Sequence, residues 1–214
     1  MQMFHLNGRD VPGCLMVVAL ILCPGSAAAA EANAAPKDTS DWAAVVPIVM
    51  VVSRPSGDVP LDTGFGGEFG VGLRGGRVTV GIVLGSSFHK IKDGGQLVLG
   101  DSANAASDWE ISWFGVDGQY AFRHGHRGQP FLSLEIAGSF LTRGMDNNVE
   151  GWRFSAGAGY EYSLRRAVSL SVQAQVDRLR WNKAKAAGRP IDLPEPFDET
   201  VLTLRVGLNL LRRF

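Results

Sequence analysis

Hydrophobic and polar residues alternate with period two along most of the chain from Trp42 onward. That period marks strands whose two faces meet different surroundings, whereas a helix would repeat every 3.6 residues. Between Phe65 and Arg74, one face carries Phe65, Phe69, Val71 and Leu73, and the other Gly66, Glu68, Gly70, Gly72 and Arg74. Val78, Val80, Ile82 and Leu84 then alternate with Arg77, Thr79, Gly81 and Gly85. Only Gly75-Gly76 separates the two runs, a dipeptide suited to the positive φ angles of a tight hairpin.

The pattern recurs. Phe114, Val116, Tyr120 and Phe122 oppose Asp117, Gln119 and Arg123, and Leu132, Leu134, Ile136 and Phe140 oppose Ser133, Glu135 and Ser139. Trp152, Phe154, Tyr160 and Tyr162 oppose Arg153, Ser155 and Glu161, while Val168, Leu170, Val172 and Val176 oppose Ser169, Gln173, Gln175 and Asp177. A last run carries Leu202, Leu204, Val206, Leu208, Leu210 and Phe214 against Thr203, Arg205 and Asn209. With a first strand over 42–53, the expectation is eight strands of roughly 9–11 residues, the length a tilted strand needs to cross hydrocarbon.

Connections at 54–63, 90–107, 142–150 and 181–199 are longer than those at 75–76, 124–129 and 163–167. Such alternation is the asymmetry of a membrane barrel, with tight turns at one end and longer loops at the other. Aromatic residues gather at both strand ends: Phe65, Phe88, Phe140 and Trp152 beside the long loops, and Trp42, Tyr120, Phe122, Tyr160, Tyr162 and Phe214 opposite. Two girdles at headgroup level are expected. The first strand is apolar on both faces and contains Pro47; Trp42, Val46, Ile48 and Met50 outward is its better register. Trp109, Ile111 and Trp113 fall out of phase with Phe114 and Val116, which predicts a β-bulge near Trp113-Phe114.

Composition narrows the class. Among 214 residues, 21 Lys and Arg balance 21 Asp and Glu, so no basic excess suggests a nucleic-acid partner. Residues 1–30 read as a signal peptide: Arg9, an apolar run Leu15–Leu22 too short to span a bilayer as a helix, Pro24-Gly25, then small residues with cleavage expected near Ala30. Both cysteines, Cys14 and Cys23, lie within it. Residues 31–41 read as a flexible lead-in, and 42–214 as the barrel.

The Gly-rich hairpins, Pro130-Phe131-Leu132, the run Ala156-Gly157-Ala158-Gly159-Tyr160-Glu161-Tyr162 and the ending Val206–Phe214 resemble the small OmpA- and OmpX-like outer-membrane barrel families. The resemblance implies an all-β fold, an eight-stranded antiparallel up-and-down transmembrane barrel in the bacterial outer membrane, monomeric and embedded in outer-membrane lipid. Phe214 looks like the C-terminal signal read by the barrel-assembly machinery, although Arg212 stands where the families usually place an aromatic or apolar residue. Some barrels of this architecture are lipid A deacylases with a His and a Ser close together on a late strand. The matching stretch, 172–180, contains neither, and Ser171 has no histidine neighbour in sequence to activate it.

The polar faces supply ten charges for the barrel interior: Glu68, Arg74, Arg77, Asp117, Arg123, Glu135, Arg153, Glu161, Asp177 and Arg205. An eight-stranded interior is only wide enough for side chains, and unpaired buried charge is costly. Paired Arg–carboxylate forks closing the lumen are expected, with a gated ion path as the alternative. His124-Gly-His126 lacks further ligands, so no metal site, no cofactor and no catalytic residue is expected. Arg178, Arg180, Lys183, Lys185 and Arg189 form a basic cluster that could meet lipopolysaccharide phosphates. The expected role is structural or surface-interacting and non-enzymatic, with a small pore or a lipid A-modifying enzyme as alternatives.

Overall fold

The computed structural model describes residues 42–56, 59–92, 109–122, 126–143, 147–186, 189–191 and 196–213. The expected signal peptide and lead-in, together with Arg123, His124 and Phe214, lie outside these residues. Within them the chain is entirely strand and turn. The strands are β1 (Trp42–Pro55), β2 (Gly64–Gly75), β3 (Val78–His89), β4 (Trp109–Ala121), β5 (Gly128–Arg143), β6 (Asn147–Arg165), β7 (Val168–Ala186), β8 (Arg189–Ile191) and β9 (Phe197–Arg213).

Every pairing is antiparallel. Strands β1 to β7 pair with their sequence neighbours, β9 bonds to both β7 and β1, and the sheet thereby closes into a barrel of eight strands. Strand β8 stands apart, a three-residue strand paired only with Ala184–Ala186 at the far end of β7. Closure satisfies the backbone groups that an open sheet leaves at its edges. At the β2–β3 turn, Gly76 takes a φ of 55°, which a side chain would disfavour.

Alternation decides which surface each residue meets. On β5, Leu134 is 68% exposed while its neighbour Glu135 is 3% exposed. Ile48, Met50, Phe69, Leu84, Phe114, Val116, Ile136, Phe154, Val176 and Leu208 all face outward from the wall. A continuous apolar surface of this extent far exceeds the few hundred Å² typical of a soluble monomer and fits lipid as its solvent. The expected aromatic positions also face outward: Phe65, Phe88, Phe140 and Trp152 near one rim, Trp42, Tyr120, Phe122, Tyr160 and Tyr162 near the other. From Trp152 to Tyr162 a strand rises roughly 33 Å, or about 25 Å along the axis of a barrel tilted by about 40°, the height of a membrane barrel's apolar band.

Strand β1 adopts the expected register, with Trp42, Ile48 and Met50 outward and Val45 and Val51 buried inside. Pro47 lacks the N–H a ladder requires, and the β1–β2 pairing skips from Val45↔Gly72 to Ile48↔Phe69. The β1–β9 ladder continues past it through Pro47↔Asn209.

Two expectations are corrected. No bulge occurs at Trp113-Phe114: the β3–β4 and β4–β5 registers run unbroken through them. Trp109, Ile111 and Trp113 simply keep the parity of Asp117 and point into the barrel, with exposures of 1%, 4% and 2%. Gly85 makes this possible, because a Cβ there would sit 2.4 Å from the Trp113 indole. Register shifts lie instead in the β6–β7 pair, at Glu150/Gly151 and at Ser163/Arg165. The longer connections also differ: β6, β7 and β9 run to 19, 19 and 17 residues, so much of 142–150 and 181–199 continues the wall as strand. The alternation of loop lengths is weaker than the sequence suggests because the wall outgrows the apolar band.

Candidate functional site in the barrel interior

The interior has two layers. Toward the short turns it is polar, and toward the longer connections it is apolar.

The centre of the polar layer is built on two arginines from different strands. Arg205 of β9 places Nη2 2.8 Å from Glu68 Oε2 and 2.8 Å from Glu135 Oε2. Arg153 of β6 donates from Nη2 to Asp177 Oδ2 at 3.0 Å and from Nε to Ser155 Oγ at 3.1 Å, with Glu135 Oε1 3.7 Å away. The guanidinium of Arg153 also lies 4.1 Å from the ring centroid of Trp113, whose Nε1–H donates to Glu68 Oε2 at 2.9 Å. Asp177 further accepts from Gln175 Nε2 at 2.7 Å and from the Thr203 hydroxyl. Six strands thus meet at one point, each joined to another by at least one side-chain hydrogen bond. Charge-assisted bonds of this kind are the strongest available to a buried ion.

A second pair lies nearer the short turns. Arg74 forks onto Glu161 at 2.9 and 2.8 Å and donates from Nε to Thr79 at 3.0 Å, while Ser169 donates to the same carboxylate. Of the ten charges assigned to the interior, Glu68, Arg74, Asp117, Glu135, Arg153, Glu161, Asp177 and Arg205 are buried or half-buried there. Arg77 is not: it is exposed in the β2–β3 turn, with Nη1 3.4 Å from the Tyr120 hydroxyl. A turn residue escapes strand parity, so alternation extended one position too far.

Above this layer, Val51, Trp109, Ile111, Leu141, Val149, Leu179, Trp181 and Val201 form an apolar core inside the barrel. The β1–β2 connection folds over it and contributes Val59 and Leu61, 3% and 1% exposed. Four contacts fix that segment. Leu61 bridges Ile91, Asp62 N donates to Lys90 O, Lys92 N donates to Pro60 O, and Val59 N donates to Glu199 Oε2 at 3.0 Å. His89 adds a fifth. Its Nδ1 lies 2.9 Å from the Asp62 carbonyl, which can only accept, so Nδ1 carries the proton and Nε2 accepts from Ser87 at 2.9 Å and Ser53 at 3.2 Å. Ser53, Ser87 and His89 are all buried beneath the segment they hold.

This upper layer was missed by sequence reasoning, although parity counted back from Asp117 reaches Trp113, Ile111 and Trp109 directly. In sequence Glu199 falls within the 181–199 connection and His89 stands alone at a strand end, since their partners are 140 and 36 residues away.

The basic residues of β7 face outward. Arg178, Arg180, Lys183 and Lys185 are exposed above Val176, beside Trp152 and Phe154 of β6. Arg178 pairs with Asp198 and Lys185 with Glu150, both at 2.8 Å, while Arg180 and Lys183 make no ion pair among the described residues. Arg189 pairs with Ala186 in the β7–β8 ladder. His126 is exposed, and among the described residues no group of three or more His, Cys, Asp or Glu could hold a metal ion.

No protein-family model matches the sequence, and no curated protein matches it. Its three-dimensional structure does have counterparts. The crystal structure of Neisserial surface protein A superimposes with a TM-score of 0.53 at 14% identity, covering 80% of this chain and 97% of that one. The outer membrane protein OprG from Pseudomonas aeruginosa gives 0.51 at 10% identity, over 82% and 97%. The outer membrane protein AlkL, determined in lipid bilayers by solid-state NMR, gives 0.51 at 13% identity, over 88% and 97%. At such identities the likeness is one of fold. The closed antiparallel wall, its outward apolar band and these superpositions together make the fold that of the small eight-stranded, OmpA- and OmpX-like β-barrels of the bacterial outer membrane.

Proposed function

We propose that the chain is a non-enzymatic outer-membrane barrel whose interior is closed, and that its role is structural or surface-interacting. The observation carrying this reading is the Arg153–Arg205 network, which ties Glu68, Glu135 and Asp177 together in the interior. Two cavities in the interior measure only about 10 and 20 Å³, room for about one water each. Val59, Leu61 and the tryptophans add a dry second seal above it.

The basic outer stripe of β7 supports contact with lipopolysaccharide. Arg180 and Lys183, which make no ion pair among the described residues, stand at the level where Trp152 marks the end of the apolar band, which is where headgroup phosphates lie in a bilayer. The chain acts as a monomer in outer-membrane lipid and passes through the barrel-assembly machinery on its way there.

Planar-bilayer recording tests closure. Purified folded protein gives no discrete conductance steps, and it migrates faster on a gel unheated than boiled. Steps that change in size when Glu135 or Arg205 is replaced would establish the gated-pore alternative in its place. Separately, unchanged lipid A after overexpression is the outcome expected of a protein that does not modify it.

A further inference from the structure

Among the described residues six acids are buried in the interior, Glu68, Asp117, Glu135, Glu161, Asp177 and Glu199, against three guanidinium groups, Arg74, Arg153 and Arg205. Five of the acids are claimed: Glu161 by Arg74, Asp177 by Arg153, Glu68 and Glu135 by Arg205, and Glu199, in the upper layer, by the Val59 amide. Asp117 is the remainder. It is 8% exposed, no cationic side chain among the described residues lies within ion-pair distance, and it accepts a hydrogen bond from Gln119 Nε2 at 3.1 Å. Its register partner across the β4–β5 ladder is Glu135, a like charge on the same inward face. An uncompensated carboxylate in such a position is strongly unfavourable.

Asp117 borders the cavity of about 20 Å³, which is also lined by Thr79, Gly81, Gln119, Asn209 and Arg74. Gly81 leaves space against the carboxylate, since a Cβ there would come within 3.3 Å of Asp117 Oδ1. The second, independent observation is Asn209. Its carboxamide is carried into the interior by β9, is 7% exposed, and has no hydrogen-bond partner among the described residues although it borders the cavity. Arg74 also reaches this cavity, but its charge is already matched by its fork onto Glu161.

We propose that this cavity is a binding site for a monovalent cation of sodium or potassium size, with Asp117 as the charged ligand and the Asn209 carboxamide oxygen and water completing the shell. One carboxylate and neutral oxygens suit a singly charged ion. Calcium would call for several carboxylates or carbonyls around it. The volume admits one small ion and excludes large organic cations. The site stands independently of whether the lumen conducts.

The test compares urea unfolding of the full folded barrel in sodium or potassium chloride with N-methylglucamine chloride at equal ionic strength. A ligand present at about ten times its dissociation constant lowers the unfolding constant roughly tenfold. That difference is expected for the wild type, is lost in Asp117→Asn and is reduced in Asn209→Leu. Equal stability in all three salts, or a difference that survives in Asp117→Asn, overturns the proposal. Should Asp117→Asn fail to fold, wild-type crystals soaked in thallium(I) decide it: an anomalous peak beside Asp117 supports the site, and an empty cavity refutes it. A protonated-carboxyl infrared band at neutral pH that disappears in Asp117→Asn, with no cation effect, would assign the missing charge to a proton instead.

Discussion

The guanidinium of Arg153 lies over Trp113, 4.1 Å from its ring centroid, while its Nη2 holds Asp177 at 3.0 Å. One cation thus joins the apolar and ionic layers of the barrel, and the indole it covers donates its N–H to Glu68. Removing either side of this contact has different consequences.

Arg153→Met keeps much of the volume but strands Asp177, while Glu135 keeps its bond from Arg205. Breaking a buried pair from one side costs about 3–5 kcal/mol, so the urea midpoint should fall sharply. Trp113→Phe preserves the ring under the cation and deletes only the hydrogen bond to Glu68, a loss of about 1–3 kcal/mol. A double-mutant cycle of Arg153→Met with Asp177→Leu should recover part of the loss, because the second change removes the orphaned charge. Purely additive losses in the folding equilibrium would contradict the pairing.

On the outer wall, Leu134 and Ser133 are neighbours with opposite surroundings. Leu134→Arg in lipid vesicles should cost about 2–4 kcal/mol, the figure for arginine near a bilayer midplane. In a detergent micelle, which deforms more readily, the loss should be smaller. Equal stability of mutant and parent in vesicles would mean that this face does not meet hydrocarbon.

Leu61 and Ile91 form the bridge that holds the β1–β2 segment over the apolar core. The flanking bonds, Asp62 N to Lys90 O and Lys92 N to Pro60 O, make them a non-hydrogen-bonded antiparallel pair, with Cα atoms about 4.5 Å apart and within disulfide range. Leu61→Cys with Ile91→Cys, in a chain whose Cys14 and Cys23 are serine, should therefore oxidise without distortion. The gain should be about 2–4 kcal/mol, reversed by reductant. Cysteines that stay reduced under air oxidation would show that the segment does not rest where the structure has it.

How much of this was readable beforehand depended on distance along the chain. Strand parity needs only near neighbours, so the outward set from Ile48 to Leu208 and the inward Glu68, Glu135, Asp177 and Arg205 were legible. The pairing of Arg205 with Glu68 was not, because it spans the lumen between strands distant in sequence, and only closure fixes which side chains share a level. Trp113 was misassigned for another reason. A membrane barrel was expected to be apolar outside and polar inside, and a bulge was invoked to keep the tryptophans out. Alternation held, and the expectation about the interior was what failed. Arg77 erred the opposite way, since parity ceases to bind once the backbone turns.

The length of β6 and β7 has a consequence for reach. Beyond Trp152 and its partner Arg180, the hydrogen-bonded ribbon continues to Ala186 and is widened by β8. Six residues advance roughly 20 Å along a strand, or about 15 Å away from the bilayer. The polar layer of a membrane leaflet is only about 6 Å deep. This corner of the molecule is therefore a pedestal that rises clear of the phosphates, so that whatever approaches the membrane from that side touches protein before it touches lipid.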